Sequence, residues 1–372
     1  KCYDDGVKAY FAYRNDQGGI YGRKLVLTKE LDDELAKNQQ RALEIISAND
    51  TFASFSATQI ASGWADMAKN GIPLYTWNIF AEGRQPSVFG YTGAICFECT
   101  TRTPAYVTKL VGAKKVASLG YGISENSKQA AQSVAKGLDM YSEATGGAKV
   151  VYLNDDLQFG LSNGVGPEVT AMKKAGVELV FGSLDLNGMK TVAQEMQRQG
   201  MGDVPMYHPN TYDADFVKNA GQLFEGDYVL TQARPFEADS AGSALDTFKT
   251  WMGKTNAKVV ELAMYGWIAA DLAYQGLKAA GPDFDRAKVI EASNTKLTAY
   301  TADGLIPPID WSRQHQPPTQ DDPATHGGKY ECSGLLKVHN GAFEPVAKKS
   351  TPWFCWPGNT RAWSEPEQMN FK

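Results

Sequence analysis

Residues 115–153 read KVASLGYGISENSKQAAQSVAKGLDMYSEATGGAKVVYL, and this stretch determines the expected fold class. The apolar run at 115–119 predicts a β-strand, and residues 126–144 have the pattern of a long amphipathic helix. The run at 149–153 predicts a second strand. Strand, helix and strand in immediate succession indicate two parallel strands joined by a crossover helix, which is typical of an α/β fold.

The same alternation covers most of the chain, in roughly eight steps of strand and helix. Near the amino end it predicts a strand at 24–28, a helix at 34–48 and a strand at 52–55. After Pro235 it predicts three helices and then a β-hairpin, at 241–252, 259–280, 286–293 and around Asn340-Gly341. Because one open sheet rarely holds so many strands, two α/β domains are expected.

Composition and charge exclude several classes of protein. The chain has 372 residues, 43% of them hydrophobic, and its 37 basic and 42 acidic residues give a net charge of -5. No Lys/Arg run exceeds two residues, so neither nucleic acid nor an anionic membrane surface is an expected partner. Residues 259–280 are apolar but contain Glu261, Asp271 and Lys278, which predicts a buried core helix and no direct membrane insertion.

The five cysteines are Cys2, Cys96, Cys99, Cys332 and Cys355. The spacing of Cys96 and Cys99 is that of a redox pair or of half a zinc site, but no second such pair provides the other zinc ligands. A structural disulfide among the five is the favoured interpretation, with Cys332 and Cys355 as the preferred pair. No metal is predicted.

Catalytic motifs receive little support. Residues 160–164 match the G-x-S-x-G pattern around Ser162, yet the preceding strand is predicted to end near Leu153, too early for the sharp strand-to-helix turn of a nucleophile elbow. The stretch 315–326 contains two histidines with Asp321 and Asp322, and a solvated proline-rich loop is favoured there over a metal site. Without a Walker or G-x-G-x-x-G motif, no cofactor is predicted, and no residue is assigned a catalytic role.

Loops at the carboxyl ends of the predicted strands are the expected place for a ligand. Ser56, Thr58 and the amides after them suit a carboxylate, and Trp77, Tyr121 and Phe159 suit an apolar body. The alternative is that each of these residues is an ordinary helix cap or core aromatic. The candidate ligand-binding residues are Phe55, Ser56, Ala57, Thr58, Trp77, Asn78, Tyr121, Phe159 and Asp185.

The order of several motifs resembles one known family. Residues 15–24 read NDQGGIYGRK, Asp32-Asp33 follow, and Ser56-Ala57-Thr58 precede a predicted helix. This series resembles the type I periplasmic binding proteins of the branched-chain amino acid (Leu/Ile/Val) ABC transporter family. Further matching segments run in the same order over most of the chain, at 71–73, 159–160, 172–177 and 266–272.

The resemblance implies two doubly wound α/β lobes joined by three crossover segments. It also implies a protein without catalysis that closes its lobes on a small carboxylate-bearing ligand, an amino acid or an aromatic or apolar acid, and delivers it to a membrane ABC permease. A periplasmic or extracytoplasmic monomer is expected. The implied divisions are lobe 1 at 1–112 and 236–308, lobe 2 at 113–235 and 309–350, and a C-terminal tail at 351–372. The alternative function, on the same fold, is a ligand sensor that signals through a receptor or regulator.

The resemblance also assigns roles to the candidate residues. Loops 55–58 and 77–80 would hold the ligand carboxylate, and Tyr121, Phe159 and Asp185 would contact its side chain and ammonium group. Phe55 stands where a serine is usual, and Trp77 adds bulk beside it, which favours an aromatic or otherwise apolar acid over Leu, Ile or Val.

One departure concerns the fold itself. The family begins with a strand before its first helix, whereas this chain begins at that helix. Without that strand a central position of the first sheet would be empty, so we expect either that the sequence is incomplete at its start or that another segment fills this position.

Overall fold

The computed structural model describes residues 1–77, 80–91, 100–316 and 327–372. Within these residues the strands form a sheet of three and a sheet of nine, called here the small sheet and the large sheet. The strands are β1 (Ser54–Ser56), β2 (Leu74–Thr76), β3 (Val88–Gly90), β4 (Lys115–Tyr121), β5 (Lys149–Leu157), β6 (Leu179–Ser183), β7 (Met206–His208), β8 (Tyr228–Thr231), β9 (Tyr330–His339), β10 (Ala342–Pro345), β11 (Trp353–Pro357) and β12 (Glu367–Met369). The helices are α1 (Cys2–Asp16), α2 (Asn38–Ala48), α3 (Trp64–Lys69), α4 (Thr103–Val111), α5 (Glu125–Met140), α6 (Ser142–Thr145), α7 (Gly166–Lys174), α8 (Leu186–Arg198), α9 (Ala214–Asn219), α10 (Ala244–Lys254), α11 (Glu261–Ala280) and α12 (Arg286–Lys296).

The small sheet is parallel, in the order β1, β2, β3. Phe55, Tyr75 and Phe89 stack across its three strands with ring centroids 5.3 and 5.5 Å apart, on the face covered by α1 and α11. Leu74 and Val88 point to the opposite face and pack against α3. This alternation is the period of two expected of strands, and it places helices on both faces of the sheet.

The large sheet has the order β12, β11, β9, β8, β7, β6, β4, β5, with β10 paired to β9. Strands β4 to β8 run parallel, and β9 is antiparallel to β8. The predicted hairpin is confirmed: β9 and β10 meet at Asn340-Gly341, whose positive φ angles of 51° and 71° suit a tight two-residue turn. The chain passes to this sheet after β3, returns after β8 to the helices beside the small sheet, and crosses again after α12.

Residues 351–372, which the sequence analysis treated as a tail, contribute β11 and β12 to the large sheet. Trp353 and Trp356 of β11 are fully buried, so this strand belongs to the core. The predicted disulfide is confirmed, because Cys332 of β9 and Cys355 of β11 lie opposite each other and are bonded.

The strand predicted at 24–28 is wrong. This segment is extended but joins no ladder, and the backbone N–H and C=O of Leu25 both bind the side-chain amide of Asn15. The helix predicted at 34–48 begins later, at Asn38, because the carboxylates of Asp32 and Asp33 accept the N–H groups of Glu34 and Leu35 and hold a turn. The three helices predicted after Pro235 are confirmed as α10, α11 and α12.

Candidate functional site

Three of the candidate residues meet at one edge of the large sheet. Strands β5, β4 and β6 are parallel neighbours, so their carboxyl ends lie together. Tyr121 ends β4, Phe159 follows β5 and Asp185 follows β6. The rings of Tyr121 and Phe159 are 5.0 Å apart, and the Tyr121 hydroxyl donates to Asp185 Oδ1 at 2.5 Å.

The start of α8 orients this trio. Asp185 is the N-cap of that helix, and its Oδ1 also accepts the N–H of Gly188 at 3.2 Å. A Cβ on Gly188 would lie 2.1 Å from the Tyr121 hydroxyl oxygen, so the close approach of Tyr121 requires glycine at this position. Burial raises the pKa of Tyr121, and the bond to Asp185 raises it further, which keeps the phenol neutral as a donor.

Phe159 is the exposed member of the trio. Its side chain is 42% exposed, on a 3₁₀ turn that follows β5, while Tyr121 is buried behind it. Asp185 is half-buried, and no described residue hydrogen-bonds its Oδ2. The edge therefore presents an apolar ring, a buried phenol and one carboxylate oxygen, a combination that suits a small organic molecule.

The candidates on the small sheet are arranged differently. Phe55 is stacked on Tyr75 and packs edge-on against Phe11, so its ring belongs to the core of this half. The Thr58 hydroxyl is buried, donates to Asp33 and accepts the N–H of Ile60, which fixes the loop after β1. Its hydroxyl is therefore already engaged.

Ser56 and Ala57 are half-buried, and no described residue hydrogen-bonds the Ser56 hydroxyl. Trp77 packs between the two hydrophobic clusters of the small sheet, and Asn78 lies outside the described residues. No hydrogen bond or ring contact in the described part of the chain joins this group to Tyr121, Phe159 or Asp185.

Ser162 is exposed and follows a 3₁₀ turn, and the described histidines His208, His315 and His339 do not hydrogen-bond it. Cys96, Cys99 and residues 317–326 lie outside the described residues. The search for clusters of three or more His, Cys, Asp or Glu found none within the described ranges, and no helix there combines the length and apolar character that a bilayer crossing requires.

Two tyrosine–carboxylate pairs, Tyr212 with Glu237 and Tyr265 with Glu261, were not predicted from the sequence. Tyr212, after β7, donates to Glu237, and Tyr265 of α11 donates to Glu261 at the start of the same helix. Tyr265 also stacks on Tyr91, with centroids 3.7 Å apart. Burial raises the pKa of Glu237, and raises that of Glu261 to about 7. The sequence signal for the second pair is Glu261, a carboxylate inside the apolar run 259–280.

The chain belongs to the periplasmic binding protein family, whose model matches residues 1–324. The resemblance inferred from the sequence is thereby confirmed. No curated protein sequence matches significantly.

Solved structures share the fold at low sequence identity. A solute-binding protein of an ABC transporter from R. palustris, in complex with 4-hydroxybenzoate, is 18% identical with a TM-score of 0.73, over 96% of this chain and 92% of that one. The leucine binding protein LivK from Thermotoga maritima MSB8 is 14% identical, also with a TM-score of 0.73, over 93% and 92%. A substrate-binding periplasmic protein from Ralstonia solanacearum is 17% identical with a TM-score of 0.72, over 92% and 94%. The α/β fold of type I periplasmic binding proteins, predicted from the sequence, is confirmed.

Proposed function

We propose that this protein is an extracytoplasmic solute-binding protein of an ABC importer, without catalytic activity, that binds a small carboxylate-bearing organic ligand and delivers it to a membrane permease. Family membership supports the binding role. The observation that carries the proposal is the trio of Tyr121, Phe159 and Asp185, which three parallel strands bring to one edge of the large sheet.

The ligand lies, in this proposal, between two lobes with the boundaries expected from the sequence, 1–112 with 236–308 and 113–235 with 309–350. Ser56 and Ala57 would hold its carboxylate from lobe 1, and Tyr121 and Phe159 would cover its apolar body from lobe 2. Solved neighbours are described in complex with 4-hydroxybenzoate and benzoate, and others as leucine or isoleucine binders, so both ligand classes remain candidates.

Asp185 distinguishes the two classes. For an amino acid, its carboxylate would bind the ligand ammonium, a charged hydrogen bond worth about 1.5–3 kcal/mol, or roughly 10-fold to 100-fold in Kd. For an aromatic acid, Asp185 would act only through the Tyr121 hydroxyl. We favour the aromatic acid, because Asp185 Oδ1 already accepts two hydrogen bonds and the exposed surface beside it is an aromatic ring.

The test is a thermal-shift screen followed by calorimetry, with leucine, isoleucine, benzoate and 4-hydroxybenzoate. A ligand at 100 times its Kd should add about 2.7 kcal/mol to the free energy of unfolding. We expect 4-hydroxybenzoate or benzoate to bind, and Asp185→Asn to change Kd less than about threefold. Phe159→Ala, which removes the exposed ring, should weaken binding more than that. A loss of about tenfold or more in Asp185→Asn would identify an amino acid ligand instead.

The matched control is Asp213→Asn. Asp213 caps α9 as Asp185 caps α8, accepting a backbone N–H at 3.0 Å, and asparagine caps helices as well as aspartate does. This variant should bind like the unaltered protein. If no small acid or amino acid in a broad screen shifts the melting temperature, the binding role itself is wrong.

A further inference from the structure

Residues 370–372 lie where the two halves of the molecule meet. The chain passes between the halves three times, after β3, after β8 and after α12. Residues 370–372 follow β12 of the large sheet, and they contact the second passage at Arg234 and the third at Thr301 and Gly304. We refer to residues 370–372 as the strap.

One side of the strap is attached to the large sheet. The ring of Phe371 packs against Trp353 of β11 and Tyr330 of β9, with ring centroids 5.3 and 5.8 Å apart. Trp353 is fully buried, and it pairs in the sheet with Met369, the residue directly before the strap. The position of the strap is therefore fixed relative to the large-sheet half.

The other side of the strap binds the small-sheet half. The Thr301 hydroxyl donates to the carbonyl oxygen of Lys372 at 3.1 Å, and the backbone of Gly304 lies directly against the carbonyl group of Phe371. A Cβ on Gly304 would lie 2.4 Å from that carbonyl oxygen, so this close approach requires glycine. Leu305, the next residue, is buried in the hydrophobic cluster of α1 and α11. The strap is therefore in contact with both halves.

Arg234 joins the second and third passages to the strap. Its backbone N–H donates to Leu305 O at 2.7 Å, and its Nε donates to Gly304 O at 3.1 Å. Its Nη2 donates to Phe371 O at 3.2 Å and to the side-chain oxygen of Asn370. Arg234 is 7% exposed, and the acceptors that the described residues offer it are neutral oxygens. Release of the strap would remove two acceptors from a buried guanidinium, so Arg234 opposes that release.

We propose that the strap is a noncovalent fourth connection, which holds the two halves in the described arrangement and opposes lobe closure. A rotation that moves Gly304 relative to Trp353 strains or breaks contacts on one side of the strap. The strap therefore stabilises the described arrangement against other arrangements. Within the described residues, no hydrogen bond or ring contact joins Trp77 to Tyr121 or Phe159 across the two sheets, so closure on a ligand requires another arrangement.

The strap sets part of the ligand affinity. When only a fraction of the molecules has the binding-competent arrangement, the measured Kd is the intrinsic Kd divided by that fraction. Weakening the strap raises this fraction, so it should tighten ligand binding, whereas a general loss of structure would weaken it. The effect on affinity rests on the function proposed above, but the restraint on the two halves does not require a ligand.

The first test variant is Gly304→Ala, which places a methyl group against the Phe371 carbonyl. Its matched control is Gly226→Ala. Gly226 has a φ angle of 83°, close to the 84° of Gly304, so alanine strains both backbones alike, but the methyl group at 226 meets no described atom within 4 Å beyond its chain neighbours. Phe371→Ala, which removes the ring from Trp353, is the second strap variant and decides if Gly304→Ala does not fold.

Single-molecule FRET measures the restraint, with dyes carried by non-natural amino acids that replace Gln40 of α2 and Lys174 of α7. Both positions are exposed, and the two helices pack on different halves. Without ligand, the strap variants should show a broader distribution of distances between the dyes than the unaltered protein and Gly226→Ala. Calorimetry with 4-hydroxybenzoate should then give a Kd about threefold to tenfold lower in the strap variants.

Unchanged distances in the strap variants would overturn the proposal. A broader distribution with weaker binding of 4-hydroxybenzoate would also overturn it, since the strap would then belong to the closed form. An equal change in Gly226→Ala would assign the effect to backbone strain and overturn it too. A broader distribution confined to the strap variants, with no binding of 4-hydroxybenzoate, benzoate, leucine or isoleucine to any form, would support the strap and refute the proposed function.

Discussion

Glu261 shows how one residue makes the stability of this protein depend on pH. Glu261 is half-buried at the start of α11, and desolvation of its carboxyl group raises its pKa from 4.5 to about 7. Because the folded state binds this proton more tightly than the unfolded state, the contribution of Glu261 is complete below about pH 4.5. It is lost as the pH rises to about 7.

We therefore expect Glu261→Gln to flatten this part of the pH dependence. The glutamine carbonyl oxygen can still accept the Tyr265 hydroxyl, and it never ionises. Above pH 7 the variant should be more stable than the unaltered protein by about 3 kcal/mol, and near pH 4.5 the two should be similar. Urea unfolding from pH 4.5 to 8 measures the difference. The exposed Glu178→Gln is the control, and a pH-independent difference for Glu261→Gln would contradict the assigned shift.

At the scale of elements, Arg102 ties α4 to the carboxyl-terminal strands. Its guanidinium forms a buried ion pair with Glu331 of β9, with Nη1 and Oε2 2.5 Å apart, and it donates to the carbonyl oxygens of Thr360 and Ala362. Its backbone N–H donates to the other oxygen of Glu331. One side chain therefore binds two carbonyl groups of the loop between β11 and β12.

Arg102→Met should lower the free energy of unfolding by about 3–5 kcal/mol, because it leaves the Glu331 carboxylate buried without its partner. Lys109→Met is the matched control. Lys109 lies on α4, which begins directly after Arg102, and pairs with Glu365. Both side chains are exposed, so the loss should not exceed about 1 kcal/mol. Urea unfolding followed by tryptophan fluorescence compares them. Equal losses in the two variants would show that the Arg102 pair is not stabilising the packed segment.

The same elements show what the sequence could and could not predict. The hairpin at Asn340-Gly341 was predictable because its turn chemistry is local. The strand at 24–28 was not, because its pattern is that of a strand but a strand also requires a neighbour. Within the described residues, segment 24–28 makes no backbone–backbone hydrogen bond, and a cavity lies between it and β1. Strand β11 was not predicted, because its buried residues show no alternation of apolar and polar side chains and lie among polar and proline residues.

The candidate site shows the same limit. The local sequence is enough to indicate that Asp185 caps a helix, because aspartate is a preferred N-cap residue. That Asp185 accepts the hydroxyl of Tyr121, 64 residues away, follows only from the order of strands β6, β4 and β5 in the sheet. Sequence position indicated which loops of the large sheet meet. The hydrogen bond between Thr58 and Asp33 and the stacking of Phe55 on Tyr75 depend on packing between elements.

At the scale of the whole molecule, the proposed function requires a change of shape. The chain passes between the two sheets at several places, and an ion pair of 3.0 Å joins Lys258, ahead of α11, to Asp215 of α9. Both side chains are exposed, so solvent screens this pair and it cannot by itself hold the two halves in one arrangement. Contacts of a ligand with both lobes would therefore decide which arrangement is populated.

We expect a saturating ligand to lower the radius of gyration measured by small-angle X-ray scattering, because the closed form is selected by its additional contacts. Asp215→Asn should alter the ligand Kd by less than about fivefold, because solvent screens the exposed pair, and salt should remove the difference. The methyl ester of the ligand, which lacks the carboxylate, is the control and should leave the radius unchanged. Tight binding in calorimetry with no change in the radius would mean that the ligand is held by one lobe alone, which would rule out delivery by lobe closure.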